Sequence, residues 1–123
     1  MGFVRDLLQG KTERNMDLFP PQWWINVVDV ARVHVAALLS STVSNERLFA
    51  FAGPFNWTDY IAILKKLRPE NKLIPDGPKD EGRDLSDVWE ASRRAEELVK
   101  EFFGTKGWVG LEESLADGIA DLK

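Results

Sequence analysis

Residues Trp23–Leu39, WWINVVDVARVHVAALL, constrain the fold more than any other stretch of this chain. Trp23–Val28 joins bulky aromatic and β-branched side chains, which suit a pleated, half-buried surface, and predicts a short strand. Val30–Ser41 predicts a helix that is apolar nearly all round and therefore buried on more than one face. Asp29 stands between them, placed to cap the helix by accepting from backbone N–H groups two or three residues on. Such a helix needs packing partners. A chain of 123 residues can supply them, since a compact domain of this size buries roughly two thirds of the surface its unfolded form exposes.

The flanking sequence completes a small α+β plan. Phe3–Gln9 predicts a short helix ended by Gly10, and Lys11–Pro21 a loop closed by the extended Pro20-Pro21 pair. Arg47–Ala52, RLFAFA, predicts a second strand between Ser44-Asn45 and Gly53-Pro54. Asn56 is placed to cap a helix whose Trp57, Tyr60, Ile61, Leu64 and Leu67 recur at helical spacing until Pro69. Lys72–Pro75 predicts a brief third strand, and Asp76–Arg83 a charged loop without a hydrophobic anchor. Ser92–Phe103 predicts a helix with Ala95, Leu98, Val99 and Phe102 on one stripe and Gly104 at its end. Leu111, Leu115, Ile119 and Leu122 mark a last helix. No internal repeat or low-complexity segment interrupts this, so the expectation is a single domain over 1–123, with four or five helices and two or three short strands.

Composition removes several classes of function. With 44% apolar residues, five Trp and seven Phe, the chain is globular rather than disordered. A net charge of −4 with no cationic cluster longer than a pair leaves no electrostatic footprint for nucleic acid. No apolar run approaches a membrane span, and neither a secretory signal nor a myristoylation pattern opens the chain. The absence of cysteine fits a reducing compartment, so the expected location is cytoplasmic.

The segment Trp24–Leu39 resembles a strand-to-helix passage, roughly aromatic-V-D-V-R-D-V-A-x-x-H-x-x-A-L, in the C-terminal half of extended short-chain dehydrogenase/reductases. The likeness is to fungal aldehyde or ketone reductases and to the dihydroflavonol-reductase and epimerase/dehydratase group. Further landmarks follow in order: Asn45-Glu46-Arg47-Leu48-Phe49, Pro54-Phe55-Asn56-Trp57, Gly82-Arg83-Asp84-Leu85-Ser86, Arg94-Ala95-Glu96-Glu97-Leu98 and Gly110-Leu111-Glu112-Glu113-Ser114-Leu115. Two positions depart from the pattern, with Asn26 where relatives often carry Asp or His and Val28 where they often carry Arg or Asp. The resemblance implies the substrate-side part of such an enzyme without its nucleotide-binding half.

A reductase of this type needs a Tyr-x-x-x-Lys pair, which sets a phenol and an ammonium on one helix face and lowers the phenol pKa. The one tyrosine, Tyr60, is followed four residues on by Leu64, and Lys65 lies about 100° away around the helix. The spacing Gly104-x-x-Gly107-x-x-Gly110 follows a helix instead of a strand, so it reads as a helix cap and turn rather than a phosphate cradle. No cofactor is expected. The sole histidine, His34, excludes a two-histidine metal motif. Its neighbours Val30, Ala37 and Leu38 suggest a buried structural role, with general-base work as the alternative. Trp23 and Trp24 point to opposite sides of a strand, so one joins the core while the other faces a cleft or interface. Arg83 and Asp84 place opposite charges in a loop, either as a ligand anchor or as a surface ion pair.

These readings lead to a cofactor-independent protein that binds a small apolar, oxygenated compound, with a non-redox step such as isomerisation, dehydration or cyclisation. The candidate catalytic residues are His34, Tyr60 and Asp84, and the candidate substrate-binding residues are Trp23, Trp24, Asn26 and Arg83. The alternative is a non-catalytic reductase relative that works by self-association or partner binding. Apolar surface without a nucleotide-binding half to cover it predicts a homodimer.

Overall fold

A computed structural model of the chain describes residues 2–11 and 15–122. Among these, helices α1 (Gly2–Leu8), α3 (Val27–Leu39), α4 (Trp57–Leu67), α5 (Trp89–Phe103) and α6 (Leu111–Gly118) are joined by a single helical turn, α2 (Asn15–Leu18). Two short strands, β1 (Gln22–Trp24) and β2 (Gly53–Phe55), form one two-stranded sheet. The result is a small α+β protein. Its contacts divide into two compact units, one made of Met1–Gln22, Pro54–Asp84 and Leu111–Lys123, the other of Trp23–Gly53 and Leu85–Gly110.

The first unit is built around aromatic side chains. Asn56 caps α4 as its sequence position predicts, its Oδ1 accepting from Asp59 N–H at 2.9 Å. The buried face of α4 carries Trp57, Tyr60, Ile61 and Leu64. Phe3 of α1 meets Trp57 edge-on at 5.8 Å and Tyr60 at 6.1 Å, and Phe55 meets Tyr60 at 5.5 Å. Val4 and Leu7 of α1 and Leu115 beside Ile119 complete the buried apolar set. The Trp57 indole N–H is not left unpaired by this burial, because it donates to the Phe19 carbonyl at 2.8 Å. Tyr60 is 7% exposed, and burial pushes its phenol pKa up to about 12, since the charged phenolate loses its water. The loop expected at Lys11–Pro21 contains α2, while residues 12–14 of that expectation lie outside the described residues.

The second unit is α3 laid against α5. Here the cap differs from the sequence expectation. Asn26, not Asp29, starts α3, with its Oδ1 accepting from Val28 N–H at 2.7 Å. The helix therefore begins at Val27, and the strand stops at Trp24. Asp29 falls inside the first turn and is fully buried. Its carboxylate accepts from Val109 N–H at 2.7 Å and from Arg32 at 2.9 Å, tying α3 to the segment that follows α5. The core holds Val33, Ala95 and Val99, with Leu48, Ala50 and Trp108 packed against it.

Three more expectations are corrected. The α3 helix buries one face only, because Val27, Val28, Val35, Leu38 and Leu39 are all exposed, Leu38 by 84%. Residues 47–52 form no strand of a sheet. Ser92 of α5 takes the place of a strand partner, its hydroxyl accepting from Phe51 N–H at 3.1 Å and donating to Phe51 C=O at 2.8 Å. Residues 72–75 form a turn rather than a third strand, because the Asn71 side chain accepts from Leu73 N–H and donates to the Leu8 carbonyl. On α5, Ala95, Leu98 and Val99 are buried as predicted, whereas Phe102 is 37% exposed. Gly104 ends that helix in the left-handed conformation, φ 64°, and its N–H donates to Lys100 C=O.

Replacing Asp29 by Ala leaves a buried N–H without an acceptor, so the urea midpoint should report a loss of about 2–3 kcal/mol in stability. Tyr60 supplies a pH test. Its phenol is neutral in both folded and unfolded chains below pH 10, so stability there is indifferent to it; above that, the unfolded chain ionises first and stability falls as pH rises through about 12. Absorbance titration of phenolate at 295 nm should show no ionisation of the folded protein at pH 10.5, and a half-ionised folded tyrosine at that pH would refute the assignment.

Candidate functional site

The seven candidate site residues fall into both units: Trp23, Trp24, Asn26 and His34 in one, Tyr60, Arg83 and Asp84 in the other. Trp23 has the richest surroundings. Its ring meets Trp89 edge-on at 4.5 Å and Phe51 at 6.2 Å, and its indole N–H donates to Ser86 Oγ at 3.0 Å. Phe49 stacks on Phe51 at 6.1 Å with planes 20° apart. Trp89 remains 55% exposed and Leu85 91% exposed. An aromatic face of this sort binds apolar bodies through area and ring contacts, with indole N–H and hydroxyl groups at its edge for an oxygen atom. Trp24 is half-buried, and its indole nitrogen lies 3.5 Å from where a side chain on Gly53 would begin.

Asn26 is buried and serves α3 as its cap. His34 is exposed, which corrects the buried position expected from its apolar helix neighbours; the face of α3 that carries it is the one left uncovered. Its Nδ1 lies 2.8 Å from the Val30 carbonyl. A carbonyl only accepts, so Nδ1 carries the proton and Nε2 is the free basic nitrogen of the neutral ring.

Arg83 grips Asp59 with both arms, NH1 to Oδ2 at 2.7 Å and NH2 to Oδ1 at 2.9 Å. The hydrogen bond and charge of Asp59 raise the arginine's already high pKa further. Next to it, Glu81 accepts from Trp57 N–H at 2.9 Å, Thr58 N–H at 2.8 Å and Thr58 Oγ1–H at 3.0 Å. Asn56 donates to Gly82 C=O at 3.1 Å, and Lys65 pairs with Asp76 at 2.6 Å, lowering the pKa of that exposed carboxyl mainly through the hydrogen bond. The charged loop, expected to have no hydrophobic anchor, is fastened to α4 by its charges. Arg83 thus has Asp59 as its ion-pair partner; Asp84 is half-buried beside it in sequence. Glu81, Phe51 and Trp89 carry interactions that no sequence spacing announces, since each partner lies more than twenty residues away.

Two open clefts of about 490 and 550 Å3 lie in the first unit, around Arg5, Arg68 and Asn71 and around Lys65, Pro75 and Asp76; neither is lined by any of the seven candidates. Among the described residues no group of three His, Cys, Asp or Glu side chains is placed to hold a metal. The glycines of 104–110 serve the backbone. Gly107 takes φ 151°, and a side chain there would begin 2.6 Å from Glu96 Oε1. No helix is long and apolar enough to cross a membrane among the described residues.

No family model matches the chain. It is 48% identical over 120 residues to ketoreductase adrE of Penicillium roqueforti, covering 98% of this chain and 35% of that protein. It is 48% identical over 113 residues to ketoreductase nvfG of Aspergillus novofumigatus, covering 92% of this chain and 32% of the relative. Aldehyde reductase 2 of Sporidiobolus salmonicolor is 32% identical over 116 residues, 94% of this chain and 33% of the relative. The chain spans about a third of the length of the curated relatives it matches. With the Trp24–Leu39 passage, its single histidine and the later landmarks inside that shared length, the chain matches a C-terminal portion of the extended short-chain dehydrogenase/reductases of the fungal ketoreductase and epimerase/dehydratase group.

Proposed function

We propose that this chain binds a small apolar, oxygenated compound of polyketide or terpenoid type on the aromatic face of Trp23, Phe51 and Trp89, in the cytoplasm, and holds no nicotinamide cofactor of its own. The observation that carries this reading is the half-exposed Trp89 packed edge-on against Trp23, with the Trp23 N–H and Ser86 hydroxyl at its border. Trp24 and Asn26, in the same unit, contribute through the backbone that they hold. The names of the relatives, ketoreductases and an aldehyde reductase, favour a carbonyl-bearing ligand. Hydride transfer needs a donor and an acid that these residues do not assemble, because Leu64 stands four residues after Tyr60 where the pair requires lysine.

Of the candidate catalytic residues, His34 lies in the same unit as this face and would serve a non-redox step. His34 offers an exposed Nε2, whereas Tyr60, buried and with a pKa of about 12, is a poor proton donor at neutral pH. Titration with 2-acetonaphthone should quench tryptophan fluorescence saturably, and Trp89→Ala should weaken the ligand about tenfold by removing half of the edge-to-face pair. NADPH should produce no saturable change; saturable NADPH binding would overturn the cofactor-free reading.

A second reading rests on a different observation. The apolar residues Val27, Val28, Val35, Leu38 and Leu39 on one side of α3 are exposed together, and contiguous apolar surface of this kind seeks a partner. We propose self-association as a homodimer through this helix. Sedimentation at micromolar concentration should give a dimer that Leu38→Asp converts to monomer, and a wild-type monomer would count against it.

A further inference from the structure

Segment 47–51 alternates in what its side chains touch. Leu48 and Ala50 pack against the Val33–Ala95–Val99 core, so Arg47, Phe49 and Phe51 point the other way. Along that outer row the Arg47 guanidinium carbon lies 5.8 Å from the Phe49 ring centre, Phe49 stacks on Phe51 at 6.1 Å, and Phe51 leads through Trp23 to Trp89. The row is an apolar track with a cation at one end and an exposed indole at the other.

Arg47 differs from the other described arginines. Arg5, Arg32, Arg83, Arg93 and Arg94 each pair with a carboxylate, and Arg68 donates to backbone carbonyls. Arg47 is exposed, and among the described residues it has a ring contact but no anionic partner. This occurs in a chain whose acids outnumber its bases, net charge −4. A planar guanidinium stacked on an arene keeps its outward N–H groups free to grip a carboxylate with two parallel hydrogen bonds.

We infer that the aromatic face takes elongated apolar carboxylic acids, with the carboxylate on Arg47 and the body along Phe49, Phe51, Trp23 and Trp89. This rests on the ligand-binding reading above and specifies its ligand class. The test compares 1-pyrenebutyric acid with 1-pyrenebutanol, which share a body and differ in the charged end, using energy transfer from tryptophan to pyrene in the full chain at low salt. The acid should bind about tenfold more tightly than the alcohol. That advantage should shrink with added salt and vanish in Arg47→Gln, while Arg47→Lys, which keeps the charge and loses the fork, should retain only part of it. Circular dichroism of each variant verifies that it folds. Equal binding of acid and alcohol by the wild type, or a preference that survives Arg47→Gln, overturns the carboxylate assignment and leaves the apolar face intact as a binding site. Failure of both ligands to bind overturns the aromatic face itself, and this inference with it.

Discussion

The second unit depends on one buried carboxylate. Asp29 has no exposed surface, yet it lies in the first turn of a helix where free N–H groups favour negative charge. It also receives the backbone N–H of Val109 and the guanidinium of Arg32. Charge buried without partners would be costly, and here partners come from three directions. By fixing Val109, Asp29 sets the path of the chain after α5, and with it Trp108 against the Val33–Ala95–Val99 cluster. Those contacts hold Leu48 and Ala50 inward and so decide that Phe49 and Phe51 face out. The aromatic face follows from an acid that sequence reading places at a helix cap.

How much was legible in the residues follows from the range of each interaction. The Asn56 cap, the Trp57–Leu64 stripe and the Gly104 stop depend on residues within a turn or two of one another, and all three appear where the spacing puts them. Asn26 and Asp29, three positions apart, are both of residue types that cap helices well. Choosing between them required knowing that Val109 would come to Asp29. The RLFAFA segment has a strand's alternation without a strand's neighbour, since a serine side chain from α5 satisfies Phe51. Periodicity reports which side is apolar and is silent about who supplies the hydrogen bonds.

The candidate site divides along the same line. Trp23 was recognisable as a residue with one side to spare, but its ring partners Phe51 and Trp89 are distant in sequence. His34 reads as buried because its helix neighbours are apolar, but Leu38 is exposed with it and Val30 and Ala37 are only half-buried. The loop of Gly82, Arg83 and Asp84 drew attention through its charges, and its role emerges from Asp59 and Glu81, which fasten it to α4. Relatives about three times as long share this portion at 48% identity.

Glu81 also bears on the order in which the first unit is made. The helix it caps begins at Trp57, but the carboxylate that receives the first N–H groups arrives 24 residues later. The unit moreover draws on Leu111–Lys123. During synthesis, α4 emerges with Asn56 and Phe3 already made, but its first two N–H groups wait for Glu81 and its α6 neighbour for Leu111–Gly118. Long-range closure of this kind is slow, so the start of α4 stays loose well after the helix itself has been made.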